Sequence, residues 1–154
     1  VARCQSENRT VWDELEAIYR RHGYHCTAQK SLKDAGAEGK ARINAILDTL
    51  RNDAPTQIGD ARIIRYRDLS ICTEWDRITG EERILDLPAS NVLSYELETG
   101  AQILVRPSGT EPKIKFYFEV CEACVPDDTF NDFRVRGRQS LDALSETFMG
   151  FLDL

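Results

Sequence analysis

Hydrophobic positions along the chain change period twice. From residue 10 to 22 they recur every three or four residues, as Val11, Trp12, Leu15, Ile18 and Tyr19. That spacing predicts an amphipathic helix with Thr10 as its N-cap and Gly23 as its stop. Residues 24 to 32 read as extended or irregular. Helical spacing returns over residues 37 to 52 through Ile43, Ile46, Leu47 and Leu50, and Ala54-Pro55 ends it. The period then falls to two. "ARIIRYRDL" (61–69), "NVLSYEL" (91–97) and "AQILV" (101–105) read as strands, the last two joined at Glu98-Thr99-Gly100. In "IKFYFEV" (114–120), Ile114, Phe116, Phe118 and Val120 alternate with Lys115, Tyr117 and Glu119, the pattern of a half-buried strand. Residues 139 to 152 return to helix, with Leu141, Leu144, Phe148 and Leu152 on one stripe. Two segments lack a clear period. Residues 70 to 90 read as a small hairpin with Gly80 near its tip or as a long loop, and residues 121 to 138 as a connection.

Helix, helix, several antiparallel strands and a final helix indicate an α+β fold, an antiparallel sheet with helices on one face. The first helix stands apart from the strand-rich part, and its broad Trp/Leu/Ile/Tyr face needs a partner. A domain boundary is therefore expected near residues 32 to 37. The length of 154 residues suits about one domain beyond that boundary. With 26 acidic against 20 basic residues the net charge is −6, which argues against a basic face for nucleic acid or a membrane surface. No apolar run reaches the roughly 18 residues of a transmembrane helix. The charged N-terminal stretch lacks the apolar core of a secretory signal. The chain starts at Val1 rather than Met, so a processed product or a piece of a longer protein is expected. Five cysteines without regular spacing favour reduced thiols in the cytoplasm, where the sequon at Asn8-Arg9-Thr10 would be idle.

The strongest chemistry lies in "RPSGTEPK" (106–113), set between two strands. A tight hairpin needs only two turn residues; this longer connection is rich in donors. Arg106 offers a planar cationic fork suited to phosphate or carboxylate oxygens. Ser108 and Thr110 add hydroxyls. Gly109 permits positive φ and leaves room for a ligand, so that successive amides could form an anion-binding nest. Pro107 and Pro112 stiffen the shoulders, and Lys113 adds a second cation. Glu111 orients one of these cations or faces water. A phosphate dianion, which accepts hydrogen bonds from every side, suits this set better than a carboxylate. A polar hairpin loop of ordinary turn residues is the plainer alternative.

"RPSGTEPKIKFY" resembles the phosphate-binding loop in the last domain of the α-D-phosphohexomutases, in particular the bacterial phosphoglucomutase/phosphomannomutase branch. "LPASNVLSYELETG" is similar to the stretch ahead of that loop, "GKARINAILDTLR" to the domain's opening helix, and "RTVWDELEAIYRRHGYH" to the closing helix of the preceding domain. The resemblance covers most of residues 9 to 120. It implies a C-terminal domain of TATA-binding-protein-like fold over residues 35–154, preceded by the tail of a third domain over residues 1–34. It also implies a four-domain parent that interconverts hexose 1-phosphates and 6-phosphates through a phosphoserine and a bisphosphorylated sugar. In that family the second domain holds Mg²⁺, the third reads the sugar hydroxyls, and the last grips the phosphate that is not reacting. By motif position the phosphate contacts fall on Arg106, Ser108, Gly109 and Thr110, with Lys113 in the extended motif. The expected partners are glucose or mannose phosphates and the parent's other domains. The family's serine, metal and sugar loops are absent here, so this chain is expected to bind phosphate without catalysis and to hold no metal. A free-standing phosphosugar-binding module is the alternative.

Other candidates carry less. Cys121 and Cys124 have C-x-x-C spacing but lack a second ligand pair for zinc and a thioredoxin-like context. His22 and His25 read as surface residues, and Arg134, Arg136 and Arg138 as a solvated connection. Trp12 and Trp75 read as packing residues, with another domain as the expected partner of Trp12.

Overall fold

Thr10 starts the first helix as its side chain allows. In α1 (Val11–His22) its hydroxyl accepts from the Asp13 amide at 3.1 Å, while Asp13 accepts from the Thr10 amide at 2.7 Å. This reciprocal capping satisfies two orphan donors. Gly23, at φ 86°, ends the helix and donates its amide to the Tyr19 carbonyl at 2.7 Å. The computed structural model describes residues 9–125 and 127–152; Cys4 and Asn8 lie outside them. Beyond α1 the chain forms β1 (Tyr24–Lys33), α2 (Gly36–Asn52), β2 (Gln57–Ile58), β3 (Ala61–Asp68), β4 (Thr73–Asp76), β5 (Glu82–Ile84), β6 (Leu93–Leu97), β7 (Gln102–Pro107), β8 (Lys113–Glu122) and α3 (Phe130–Phe151).

The strands form an antiparallel sheet in the order β1-β8-β7-β6-β3-β4-β5, with β2 paired to β3. Ile114, Phe116, Phe118 and Val120 of β8, Ile103 and Val105 of β7, and Leu93, Tyr95 and Leu97 of β6 face one core. Over it lie α2, through Ile43, Leu47 and Leu50, and α3, through Leu141 and Phe148. The Tyr95 hydroxyl donates to the Leu50 carbonyl at 3.1 Å, tying α2 to the sheet's centre. Trp75, Tyr66 and Tyr95 stack in series, with ring centroids 5.0 and 5.3 Å apart. The fold is thus α+β, an antiparallel sheet with helices on one face.

Two segments differ from their sequence reading. Residues 24 to 33, read only as extended or irregular, form an edge strand paired with β8 from Tyr24↔Glu122 to Lys33↔Lys113. Its inward side chains are the modest Cys26, Ala28 and Leu32, so the order comes from the partner strand. β1 lies on the N-terminal side of the boundary expected near residues 32 to 37. Residues 130 to 138, read as connection, are the first turns of α3. Thr129 and Asp132 cap it reciprocally, and Phe133 and Gly137 extend its buried stripe. Alternating Arg134, Arg136 and Arg138 hide that stripe from a periodicity reading. Of the two readings of residues 70 to 90, the hairpin holds. β4 and β5 pair, with Gly80 at φ 76° between them.

α1 buries no residue. It leans on the start of α3 and β1 through an aromatic cluster: Trp12 with Phe130, and Tyr19 with Tyr24, Phe130 and Phe133. Val11, Trp12 and Ile18 stay 59%, 69% and 47% exposed, so the helix is peripheral.

Candidate functional site

The sheet face opposite the helices carries the site. Along β7, Ile103 and Val105 point into the core, so Leu104 and Arg106 point away from it. On β8 the same alternation turns Lys113, Lys115, Tyr117 and Glu119 outward. The register sets Arg106 directly opposite Lys115. Between the strands the loop is closed by its own backbone. The Ser108 amide donates to the Lys113 carbonyl at 2.7 Å, and the Lys113 amide donates to the Glu111 carbonyl at 2.8 Å. The Glu111 amide donates to Ser108 Oγ at 3.3 Å, which leaves the Ser108 hydroxyl proton for another acceptor. The Pro112 carbonyl accepts from the Asp34 amide at 3.1 Å, pinning the loop to the β1–α2 connection.

These elements frame a cavity of about 280 Å³ lined by Arg106, Pro107, Ser108, Gly109, Thr110, Lys115 and Tyr117. Four of the five predicted residues are therefore brought together. Lys113 is not in the lining; its backbone closes the loop, and it faces Lys33 in the strand register. Gly109 is not among the glycines with positive φ, so the expected left-handed nest is not formed. A Cβ at Gly109 would meet nothing within 4 Å, and the glycine borders open space. The exposed guanidinium of Arg106 makes no hydrogen bond or ion pair among the described residues, and Glu111 pairs with neither Arg106 nor Lys113. Two cations, Arg106 and Lys115, and three hydroxyls, of Ser108, Thr110 and Tyr117, thus border one small cavity whose lining includes no carboxylate. Such a lining can hold an anion by charge-assisted hydrogen bonds. Sequence reasoning missed Lys115 and Tyr117. Their place on the polar side of the alternating strand was readable; the register that sets them beside Arg106 was not.

The remaining candidates are accounted for elsewhere. His25 Nδ1 lies 2.7 Å from Glu119 Oε1 at the surface. Arg136 pairs with Asp128 at 2.6 Å and Arg138 with Asp142 at 3.1 Å, while Arg134 donates to Asn131 at 2.9 Å. Burial pushes the Cys121 and Cys124 thiols up, against a reactive thiolate at neutral pH. Among the described residues no three His, Cys, Asp or Glu side chains converge to hold a metal. No described helix is long and apolar enough to cross a membrane.

A family model for the phosphoglucomutase/phosphomannomutase C-terminal domain matches residues 71–133, which include the entire loop. The phosphoglucomutase of Staphylococcus haemolyticus is 34% identical over 116 residues, covering 75% of this chain and 21% of that protein. That of Staphylococcus epidermidis is 34% identical over 137 residues, covering 84% and 25%. The chain belongs to the phosphoglucomutase/phosphomannomutase family. It matches the family's C-terminal domain and spans 21–25% of the length of these two curated relatives. Among solved structures, the open form of parafusin, a phosphoglucomutase-type phosphoprotein from Paramecium, aligns at TM-score 0.46 and 15% identity over 88% of this chain and 23% of its own. As a member of this family, the chain presents the 106–113 segment as a loop between paired strands, stiffened by two prolines and anchored at Asp34.

Proposed function

We propose that this chain is the phosphate-binding C-terminal domain of a phosphohexomutase that interconverts hexose 1-phosphate and hexose 6-phosphate, with glucose or mannose as the sugar. One observation carries the reading: Arg106, Ser108, Gly109 and Thr110 line a single cavity that Lys115 completes. In the proposed role Arg106 and Lys115 neutralise the phosphate dianion, the Ser108 and Thr110 hydroxyls donate to its oxygens, and Gly109 keeps the approach open. Lys113 contributes charge from just outside the cavity. Phosphoryl transfer depends mainly on positioning and electrostatics. A clamp on the phosphate that is not reacting therefore contributes to rate by holding the other end of the sugar in line.

The phosphoserine, the Mg²⁺ site and the main sugar-reading loop belong, in this reading, to other domains of the parent, and the chain by itself binds without catalysis. The lining of the cavity, with Arg106 and Lys115 and no carboxylate, histidine or cysteine, suits an anion rather than a metal. Residues 1–34 serve as the link from the preceding domain, with α1 as its last helix and β1 as the strand by which the link docks on residues 35–154. A cytoplasmic location goes with hexose phosphate substrates and is supported by the free thiols of Cys26, Cys72, Cys121 and Cys124.

The test is an NMR amide titration of the chain with glucose 6-phosphate, using sulfate and glucose as controls. The expected result is a set of shifts centred on residues 106 to 110 and 115, shared in part by sulfate and absent with glucose. Shifts that glucose reproduces, or none at tens of millimolar phosphosugar, would sink the reading.

A further inference from the structure

Glycine in the body of a helix loses more backbone entropy than any other residue, so helix interiors select against it. Gly39 lies near the start of α2, is buried, and is not among the glycines with positive φ. Its missing side chain therefore serves to make room. A Cβ there would overlap the Asp34 carbonyl and come within 2.9 Å of the Asp34 Cβ, so the start of the helix closes directly on residue 34. The backbone of residue 34 in turn meets the loop. Its amide donates to the Pro112 carbonyl at 3.1 Å, and the next carbonyl along, of Lys113, accepts from the Ser108 amide at 2.7 Å. Ser108 lines the small cavity; Asp34, Gly39 and Pro112 do not. The β1–β8 ladder runs up to the same point, through Leu32↔Ile114 and Lys33↔Lys113.

We infer that Asp34 and Gly39 are positioning residues for the phosphate loop. The Asp34 amide fixes the Pro112–Lys113 peptide from which Ser108 hangs, and Gly39 leaves the room that puts this amide in place. The inference rests on the phosphate reading of the cavity and adds two residues outside the lining that set its shape. The Pro112–Lys113 peptide is planar and held at both ends, its oxygen by the Asp34 amide and its N–H by the Glu111 carbonyl at 2.8 Å. Pro112 cannot yield by turning φ, which its ring fixes. A shift of residue 34 therefore tilts this unit, and Lys113 and the Ser108 amide bonded to it follow. An anion held by charge-assisted hydrogen bonds senses such a shift, because these bonds weaken with distance and angle. The Asp34 carboxylate is engaged elsewhere, 3.6 Å from Arg42 at the surface. In the proposed role residues 1–34 are the link from the preceding domain. Phosphate affinity and the arrangement of that link then depend on one another, and the dependence is reciprocal.

The experiment is an NMR titration of the 154-residue chain with inorganic phosphate, on wild type and on two variants at position 34. Asp34→Pro removes the amide donor, whereas Asp34→Ala removes the same carboxylate and keeps the amide. Lys33 ends a strand, the conformation that a residue before proline prefers. Phosphate affinity is expected to be at least about fivefold weaker in Asp34→Pro than in Asp34→Ala. Equal affinities, with both variants folded by their amide spectra, overturn the inference. Gly39→Ala should weaken phosphate binding in the same sense and move the Asp34 and Ser108 amides in the ligand-free spectrum; wild-type affinity in that variant would equally overturn it. Wild type supplies a readout that needs no substitution, should a variant not fold. Asp34 and Gly39 lie outside the cavity, yet their amides should shift together with residues 106 to 110 and at the same phosphate concentration. If the loop responds to phosphate and those two do not, the positioning fails while the clamp stands. If the loop does not respond, both fail.

Discussion

At the scale of single residues, the cations around the loop are set apart by where the strands place them. Arg106 and Lys115 face each other across β7 and β8 and line the cavity, whereas Lys113, nearer to Arg106 along the motif, does not. Arg106→Ala should weaken phosphosugar binding by at least about 1.5 kcal/mol with the fold intact. Lys115→Ala should cost more affinity than Lys113→Ala; the reverse order, measured by titration, would return the extended-motif residue to the clamp. A different kind of residue effect is expected at Glu74, which is 2% exposed among arginines on the open sheet face. Burial pushes its carboxyl up, but the hydrogen bonds and charges of Arg67 and Arg83 outweigh this and hold it below the ordinary value. Because its pKa is lower folded than unfolded, Glu74 stabilises the protein above the ordinary carboxylate range, and that contribution is lost as pH falls through the folded value. Glu74→Gln should therefore cost about 1–3 kcal/mol near pH 7. The gap from wild type should close below about pH 4, read as urea midpoints. A gap that is constant with pH would mean that the glutamate's charge is not what matters.

Elements differ in how firmly they are held. Both α1 and α3 begin with a threonine–aspartate capping box, yet α3 buries Phe133, Gly137, Leu141, Ser145 and Phe148 while α1 buries nothing. Removing the α3 cap with Thr129→Ala should lower global stability by about 1 kcal/mol. Phe133→Ala should lower it by about 3–5 kcal/mol. Thr10→Ala should instead fray α1 locally with little change in the global melt. Amide exchange tests the contrast: residues 10 to 22 should exchange well before β8 and the middle of α3. Strong protection of α1 in dilute monomer would mean that the aromatic contacts of Trp12 and Tyr19 hold it more tightly than their exposure suggests. The helices were legible where a buried stripe is dense, as with Ile43, Leu47 and Leu50. The start of α3 was not, because Arg134, Arg136 and Arg138 stand beside its buried positions Phe133 and Gly137 and mask their spacing. The capping pair Thr129 and Asp132 was the available signal.

For the whole molecule, the edge strand β1 matters most. It pairs with β8 over ten residues and brings Cys26, Ala28 and Leu32 against the core. A chain starting at residue 35 would leave the outer side of β8 unpaired, a template for association. Such a truncation should melt earlier and self-associate, as seen by thermal unfolding and light scattering. A monomer of unchanged stability would show residues 35–154 to be complete without the link. The sequence by itself determined the core strands, most of the helices, the family and the residue types that the loop carries. Alternation, helical spacing and a turn-rich motif are local properties, written in neighbouring residues. Only the tertiary structure decided that residues 24 to 33 join the sheet, that Gly109 is not left-handed, and that Lys115 and Tyr117 stand beside Arg106. Each depends on which strand pairs with which and in what register, and that is set by the burial of a shared core between segments far apart in the chain.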